Sequence, residues 1–100
     1  MESKLQRKII KYLEKRKWYV VKSVITNKSG HPDITAYRNG VTLFIEVKDV
    51  GEKPEPLQDY RHEQLRGQGF IVFVIDEYND FLIRMSDFHL SYKYAINRTT

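Results

Sequence analysis

The stretch GHPDITAYRNGVTLFIEVK, residues 30–48, decides the fold because it has the pattern of two strands joined by a tight turn. Asn39 and Gly40 give the strongest short hairpin signal in the chain, since both tolerate the positive φ that a type I′ turn requires. Aromatic and β-branched residues flank this pair, which predicts strands over 33–38 and 41–48. The apolar run inside the second strand is typical of a strand well inside a sheet.

Three charged side chains meet on this predicted hairpin. Successive side chains of a strand face opposite sides, so Glu46 and Lys48 point the same way while Val47 points into the core. Pro32 favours an extended conformation in the residue before it, and the chain therefore enters the first strand directly at Asp33. The hairpin then folds Asp33 back towards Glu46 and Lys48.

Helices and further strands surround this hairpin. A capping-box pattern that begins at Ser3 and an apolar face predict a first helix to about Lys15. Pro56 and Gly67 mark the beginning and end of a second helix. The continuous apolar run over 70–75 is typical of a buried strand. The other predicted elements are a strand over 18–25, a short strand over 81–85 and a final helix from 86 or 87 to about 96.

The predicted order is αβββαβ followed by a βα appendage. This order belongs to the α/β class and implies a central mixed β-sheet flanked by helices. One hundred residues, of which 41% are hydrophobic, fit a single domain with one core. We therefore expect one domain over 1–100, with its core over about 2–76 and the appendage over about 81–97.

Two features of the composition exclude classes of protein. The chain has no cysteine, so it has neither a disulfide framework nor a thiolate zinc site. No apolar run approaches membrane-spanning length, and the basic N-terminal segment has the pattern of an amphipathic helix rather than of a signal peptide. We expect a soluble, unsecreted, cytoplasmic protein that does not use a membrane as partner.

Basic residues are concentrated in the first 28 positions, which hold nine Lys or Arg against two Glu, a net charge of +7, while the whole chain carries +4. A basic face most often indicates a polyanionic partner, because phosphate neutralisation releases counterions. The alternative is a solvated helix face that only aids solubility. The candidate DNA-binding residues are Lys4, Arg7, Lys8, Lys11, Lys28 and His31.

Two carboxylates and a lysine in this arrangement suit the hydrolysis of a phosphodiester. Mg²⁺ keeps several waters and accepts one or two carboxylates, which matches Asp33 and Glu46 with the backbone carbonyl of Val47. Lys48 would lie beside the attacking water or the scissile phosphate and offset its negative charge. The alternative is that Asp33 only begins a strand, while Glu46 and Lys48 form a solvated pair on an exposed sheet face.

Pro32-Asp33, twelve intervening residues and Glu46-Val47-Lys48 resemble the PD-(D/E)xK nuclease signature, and more specifically the chain resembles the VRR-NUC family. The resemblance covers most of the predicted core. The matching pieces, in order, are Glu2 with Leu5-Gln6, Ile9-Ile10 and Tyr12-Leu13, then Gly30 to Asp33, Phe44 to Lys48, Gln58, and Gly69 before Phe70 to Ile75.

The resemblance implies a restriction-endonuclease-like fold and a Mg²⁺- or Mn²⁺-dependent endonuclease that hydrolyses phosphodiester bonds in branched, flapped or Holliday-junction-like DNA. It implies that Asp33 and Glu46 bind the metal and that Lys48 is catalytic. It also implies that Glu2 is an outer metal-site carboxylate and that Gln58 orients Lys48 or a phosphate.

Assembly and turnover are the two further expectations. Symmetric incision of a four-way junction needs two active sites and a domain of this size offers one, so we expect a homodimer. The leading alternative from another class is a DNA-binding module that uses the same fold without turnover. A small interaction protein that binds no nucleic acid is a weaker third alternative.

Two other residues have patterns that could be taken for function. His62 is followed by Glu63 but has no second His four residues on, so it does not form a zincin motif. Trp18 and Tyr19 follow a basic run and could stack on unpaired bases, but core packing is the favoured use of Trp18.

Overall fold

The protein, seen in a computed structural model, is described over residues 2–97, and its side chains over residues 2–91. Within that part of the chain four strands and three helices alternate in the order αβββαβα. The elements are α1 (Lys4–Lys15), β1 (Tyr19–Lys22), β2 (Ile34–Arg38), β3 (Val41–Val47), α2 (Pro56–Gly67), β4 (Ile71–Ile75) and α3 (Tyr78–Asn97).

The four strands form one mixed sheet in the order β1-β2-β3-β4. β1 pairs with β2 and β2 with β3 in antiparallel fashion, whereas β4 is parallel to β3. The β2–β3 hairpin pairs Arg38 with Val41 across Asn39 and Gly40, whose φ angles are 50° and 80°. These positive φ angles are those of the predicted turn, and the central mixed sheet is confirmed.

α1 and α3 cover one face of the sheet and share its core. Ser3 caps α1, since its Oγ accepts a hydrogen bond from the Gln6 amide at 3.0 Å. Trp18 is 3% exposed and its ring lies 5.8 Å from that of Phe88, so Trp18 packs in the core and is not free to stack on bases. The buried core residues are Ile9, Leu13, Trp18, Ile34, Ala36, Leu43, Ile45, Phe73, Ile75, Phe81, Met85 and Phe88.

The other face of the sheet receives α2. Side chains that alternate with the core residues, such as Phe44 and Glu46, point to this face. His62 of α2 contacts Glu46, and the Arg66 side chain donates to the backbone carbonyl of Val72. Glu46 is therefore enclosed between the sheet and α2 and is not on an open sheet face.

The predicted βα appendage is wrong in its strand and right in its final helix. Residues 81–85, predicted as a short strand, lie inside the single helix α3, which also contains the predicted final helix. Phe81 and Met85 are both fully buried and lie four residues apart, so they share one face of that helix. A short apolar run has the same appearance in a buried strand and in a buried helix, and periodicity alone does not separate the two.

β1 is shorter than the predicted strand over 18–25. It ends at Lys22, and Val24 and Ile25 are 81% and 92% exposed in the loop that follows. Their β-branched character favoured a strand, but the partner strand β2 begins opposite Lys22, and the pairing continues past it by one hydrogen bond, from the Ser23 amide to Asp33 O at 2.7 Å. No helix in the described part of the chain is both long and apolar enough to cross a membrane.

Candidate active site

The structure brings Asp33, Glu46 and Lys48 together at one edge of the sheet. Asp33 directly precedes β2, and the pairing of Ile34 with Ile45 sets it beside the end of β3. Its Oδ2 accepts a hydrogen bond of 2.8 Å from the Val47 amide, which ties the start of β2 to the end of β3. The Lys48 amide donates to Ile75 O at 2.8 Å and so extends the pairing with β4 past the end of β3.

The carboxyl group of Glu46 has an unusual environment. Its side chain is almost fully buried, and it shares a hydrogen bond with the carboxyl group of Asp33. Burial, and then the negative charge of Asp33, raise the pKa of Glu46 to about 8, although the nearby Lys48 acts in the opposite direction. A buried acid beside a half-buried one favours a shared proton or a bound cation, because two adjacent negative charges repel each other.

These residues fit a hard divalent cation that keeps most of its waters. Among the described residues no three His, Cys, Asp or Glu side chains lie close enough to form a metal site, so a cation bound by Asp33 and Glu46 would take its remaining ligands from waters and from backbone or substrate oxygens. Mg²⁺ and Mn²⁺ accept one or two carboxylates together with waters and carbonyl oxygens such as that of Val47. After burial, the negative charge of Asp33 is the next cause of the raised pKa of Glu46, and a bound cation would neutralise that charge.

Glu2 lies near Asp33 but has a different partner. Its carboxylate forms an ion pair of 3.1 Å with Lys22 Nζ. Both side chains line a cavity of about 260 Å³ together with Gln6 and Asp33. No local pattern singled out Lys22, because it joins the site through the pairing of β1 with β2, which sets it opposite Ile34.

Gln58 contacts Glu46, whereas the resemblance implied that it orients Lys48 or a phosphate. Its Oε1 accepts a hydrogen bond of 2.9 Å from the Glu55 amide at the start of α2. Its Nε2 donates to Glu46 Oε2 at 3.3 Å. The first turn of α2 thus holds the Gln58 amide group in place, and that amide group holds one oxygen of Glu46.

Gly30 determines how closely the loop before β2 approaches α2. Its φ is 83°, and a Cβ atom there would lie 3.0 Å from the carbonyl oxygen of Leu57 and 3.1 Å from its Cγ. Gly51 has nearly the same φ, 79°, but a Cβ there would meet nothing within 4 Å. The two glycines therefore share a backbone conformation and differ in the space around them.

Gly30→Ala is expected to destabilise the protein more than Gly51→Ala. The positive φ alone should cost about 1 kcal/mol at either position. The contact with Leu57 should add about 1–3 kcal/mol at Gly30. Urea unfolding of the two variants measures the difference. Equal free energies of unfolding would contradict the close approach of the loop to α2.

The candidate DNA-binding residues lie in two places. Lys4, Arg7, Lys8 and Lys11 are on α1, where all four are exposed or face a groove. Lys28 is exposed in the loop between β1 and β2. His31, the last of the set, is half-buried with its ring edge-on to Phe44, centroid to centroid 5.6 Å, and burial lowers the pKa of His31.

Comparison with known proteins places the chain among nucleases. The profile of the archaeal Holliday junction resolvase (Hjc) family matches residues 2–71, a span that includes every candidate site residue. The protein "Putative nuclease p44" of Acyrthosiphon pisum secondary endosymbiont phage 1 is 33% identical over 76 residues, which are 75% of this chain and 82% of the phage protein.

Two solved structures are similar in fold. One, described as a VRR_NUC domain, has a TM-score of 0.64 and 33% identity and covers 82% of this chain and 97% of that chain. The other, a VRR_NUC domain protein, has a TM-score of 0.69 at 19% identity and covers 87% of this chain and 89% of that one, a likeness of fold alone. The restriction-endonuclease-like α/β fold is therefore confirmed.

Proposed function

The chain belongs to the VRR-NUC and archaeal Holliday junction resolvase (Hjc) family of nucleases, and from this premise we propose that it is a Mg²⁺- or Mn²⁺-dependent endonuclease for branched, flapped or Holliday-junction-like DNA. That it is a nuclease acting on DNA follows from the family. The observation that supports the metal is the pairing of the carboxyl groups of Asp33 and Glu46 beside Lys48.

The protein orients its own catalytic groups before any substrate binds. The Val47 amide holds one oxygen of Asp33, and Gln58 holds one oxygen of Glu46. These two carboxylates, with the Val47 carbonyl, would hold a divalent cation, which would supply a nucleophilic water at neutral pH and neutralise charge on the phosphoryl oxygens. Glu2, which lines a cavity with Asp33 and pairs with Lys22, is proposed as the outer carboxylate of this metal site.

Lys48 is the cationic group for the scissile phosphate. It follows Glu46 by two residues, so its side chain leaves the strand on the same side, and its charge already acts on Glu46. An ammonium group there stabilises the negative charge that builds on the phosphoryl oxygens as the water attacks. The Lys48 amide donates a hydrogen bond to Ile75 O, and this hydrogen bond holds the backbone of Lys48 at the end of the sheet.

The basic face of α1 supports the binding of DNA backbone. A groove of about 530 Å³ between α1 and α3 is lined by four cations and no carboxylate: Lys8, Lys11, Lys15 and Arg16, with Tyr12, Tyr78 and Leu82. The rise from Lys8 to Lys15 is about 10 Å along the helix axis. Measured along the axis of a DNA duplex, that length corresponds to about three steps of the phosphate backbone of one strand.

Contacts to phosphates are proposed for Lys4, Arg7, Lys8, Lys11, Lys28 and His31. Within residues 2–91 none of the three lysines on α1 in this set forms an ion pair with a carboxylate, so their charges are available to a polyanion. Lys28 and His31 are joined by a backbone hydrogen bond of 3.3 Å in the loop before β2, which leads directly to Asp33.

Cleavage of a DNA panel tests the proposed function. We expect four-way junctions, flaps or other branched DNAs to be cut faster than nicked or linear duplexes in Mg²⁺ or Mn²⁺, and EDTA to abolish cutting. Gel analysis of labelled strands measures both. Undiminished cutting in EDTA would refute the metal. DNA binding without cutting under every metal condition would favour the alternative of a non-catalytic DNA-binding module. The DNA affinity of such a module would fall with added salt.

A homodimer is part of the proposal where the substrate is a four-way junction. One chain offers one proposed site at Asp33 and Glu46, and two symmetric incisions require two such sites related by a two-fold axis. We expect light scattering at working concentration to give about twice the mass of one 12.0 kDa chain. A monomer would argue against symmetric junction cleavage and in favour of cutting at flaps or nicks.

A further inference from the structure

The burial of His62 has no explanation in the chemistry proposed so far. His62 lies in the middle of α2 and is 0% exposed. Its Nε2 is 3.4 Å from Glu46 Oε1, and its Nδ1 has no hydrogen-bond partner among the described residues. A buried polar side chain with one unpaired nitrogen costs free energy, and an apolar residue at this position would avoid that cost.

The position of His62 on α2 relates it to Gln58. The two residues are four positions apart, so they lie one helical turn from each other on the same face. Gln58 Nε2 donates to Glu46 Oε2, and His62 Nε2 lies against Glu46 Oε1. The carboxyl group of Glu46 is thus contacted by α2 at both of its oxygens.

The contact with Glu46 favours the tautomer of His62 that carries its proton on Nε2, because the facing carboxylate oxygen is an acceptor. A neutral imidazole has one N–H and one acceptor nitrogen. With the proton on Nε2 the donor faces the Glu46 carboxylate, and only an acceptor is left unpaired at Nδ1.

We propose that His62 is a positioning residue that holds Glu46 in the orientation that binds the divalent cation. This inference rests on the proposed metal-binding role of Asp33 and Glu46. Each carboxylate oxygen has two lone pairs, so a hydrogen bond from His62 to Oε1 leaves a lone pair of that oxygen for a cation. Gln58 and His62 together remove the freedom of the carboxyl group to rotate, which a metal ligand would otherwise lose on binding.

Mn²⁺ titrated into the DNA-free full chain by calorimetry tests the proposal. His62→Leu replaces the imidazole with an apolar side chain of similar size and so removes the hydrogen-bond donor. We expect it to weaken Mn²⁺ binding about 10–100-fold. His62→Gln retains an N–H donor and should stay within about threefold of the wild type. His89→Leu is the control, since His89 is also partly buried with an unpaired Nε2 but lies near Arg38 and Arg16, away from Glu46.

Cleavage kinetics provide a second readout. The Mn²⁺ concentration that gives half-maximal cleavage should rise for His62→Leu by about the same factor as the dissociation constant. The rate at saturating Mn²⁺ should change much less. Urea unfolding in EDTA reports whether His62→Leu folds. If it does not, His62→Met takes its place, because methionine is unbranched and fills irregular buried gaps.

Each outcome decides the proposal. Equal Mn²⁺ affinity for the wild type and a folded donor-free variant would overturn the proposal. It would also be overturned if His62→Gln lost as much Mn²⁺ affinity as His62→Leu, because that would show that the shape of the ring matters and not its donor. Absence of Mn²⁺ binding by the wild type would overturn both this proposal and the metal site on which it rests. Mn²⁺ binding that is weakened in His62→Leu but not in His62→Gln or His89→Leu would support the proposal.

Discussion

Asp33→Asn and Lys48→Ala are each expected to reduce DNA cleavage by about a thousandfold or more while the protein stays folded. Asparagine has nearly the shape of aspartate and keeps an oxygen that can accept a hydrogen bond from the Val47 amide, but it lacks the negative charge that attracts a cation. Alanine at position 48 leaves the backbone hydrogen bond to Ile75 O intact and removes only the ammonium group.

Single-turnover cleavage of a junction or flap substrate measures the effect, and circular dichroism with thermal unfolding confirms the fold. Lys53→Ala is the matched control for charge, since Lys53 is exposed in the loop after Lys48 and has no proposed role. DNA binding by Asp33→Asn should be retained. Full activity in either purified variant, Asp33→Asn or Lys48→Ala, would refute the assigned roles.

Glu46→Gln is expected to abolish cleavage and, in EDTA, to stabilise the fold increasingly as the pH rises. The pKa of Glu46 is about 8 in the folded protein and near its ordinary value of 4.5 in the unfolded chain. Between these values the folded protein holds a proton that the unfolded chain has released. The contribution of Glu46 to stability is therefore complete below about pH 4.5 and falls as the pH rises towards 8.

The size of this effect follows from proton linkage. The slope is about 1.4 kcal/mol per pH unit for one proton, and the loss between about pH 5 and pH 8 is on the order of 3 kcal/mol. Glutamine is neutral at every pH and nearly the same shape, so the variant should avoid this loss. The difference in free energy of unfolding between Glu46→Gln and the wild type should be small near pH 5 and largest near pH 8.

Urea unfolding in EDTA across this pH range is the measurement. Glu77→Gln is the control, because Glu77 is exposed at the start of α3 and should show no such trend. Added Mn²⁺ should raise the free energy of unfolding of the wild type at pH 8 more than that of Glu46→Gln, since a ligand that binds only the folded state stabilises it. A difference that does not vary with pH would show that Glu46 is not protonated in the metal-free fold.

The residues expected to be needed for cleavage include one, Glu46, that lowers the free energy of unfolding at neutral pH. A buried carboxyl group beside a second carboxyl group is unfavourable in the absence of a cation, as the raised pKa of Glu46 indicates. Substitutions that stabilise a protein at such positions commonly remove its activity. Glu46→Gln is expected to stabilise the fold and to remove activity, whereas Gly30→Ala is expected only to destabilise the fold.

Local sequence predicted most of the fold correctly because most of its signals are local. The turn at Asn39 and Gly40, the Ser3 cap and the alternation along β3 each depend on a few neighbouring residues. The error over 81–85 arose where four apolar residues, interrupted only by Arg84, fitted a strand and a helix equally well. Only the core, which Phe81 and Met85 enter from α3, distinguishes the two.

The sequence by itself determined the hairpin and therefore the convergence of Asp33, Glu46 and Lys48, since strand periodicity and turn type together set which side chains share a face. Only the tertiary structure decided that Glu46 is buried, that Gln58 contacts it, and that His62 lies against its second oxygen. The physical reason is distance along the chain: His62 and Glu46 are sixteen residues apart and meet because α2 packs across the end of β3. No local pattern encodes that contact.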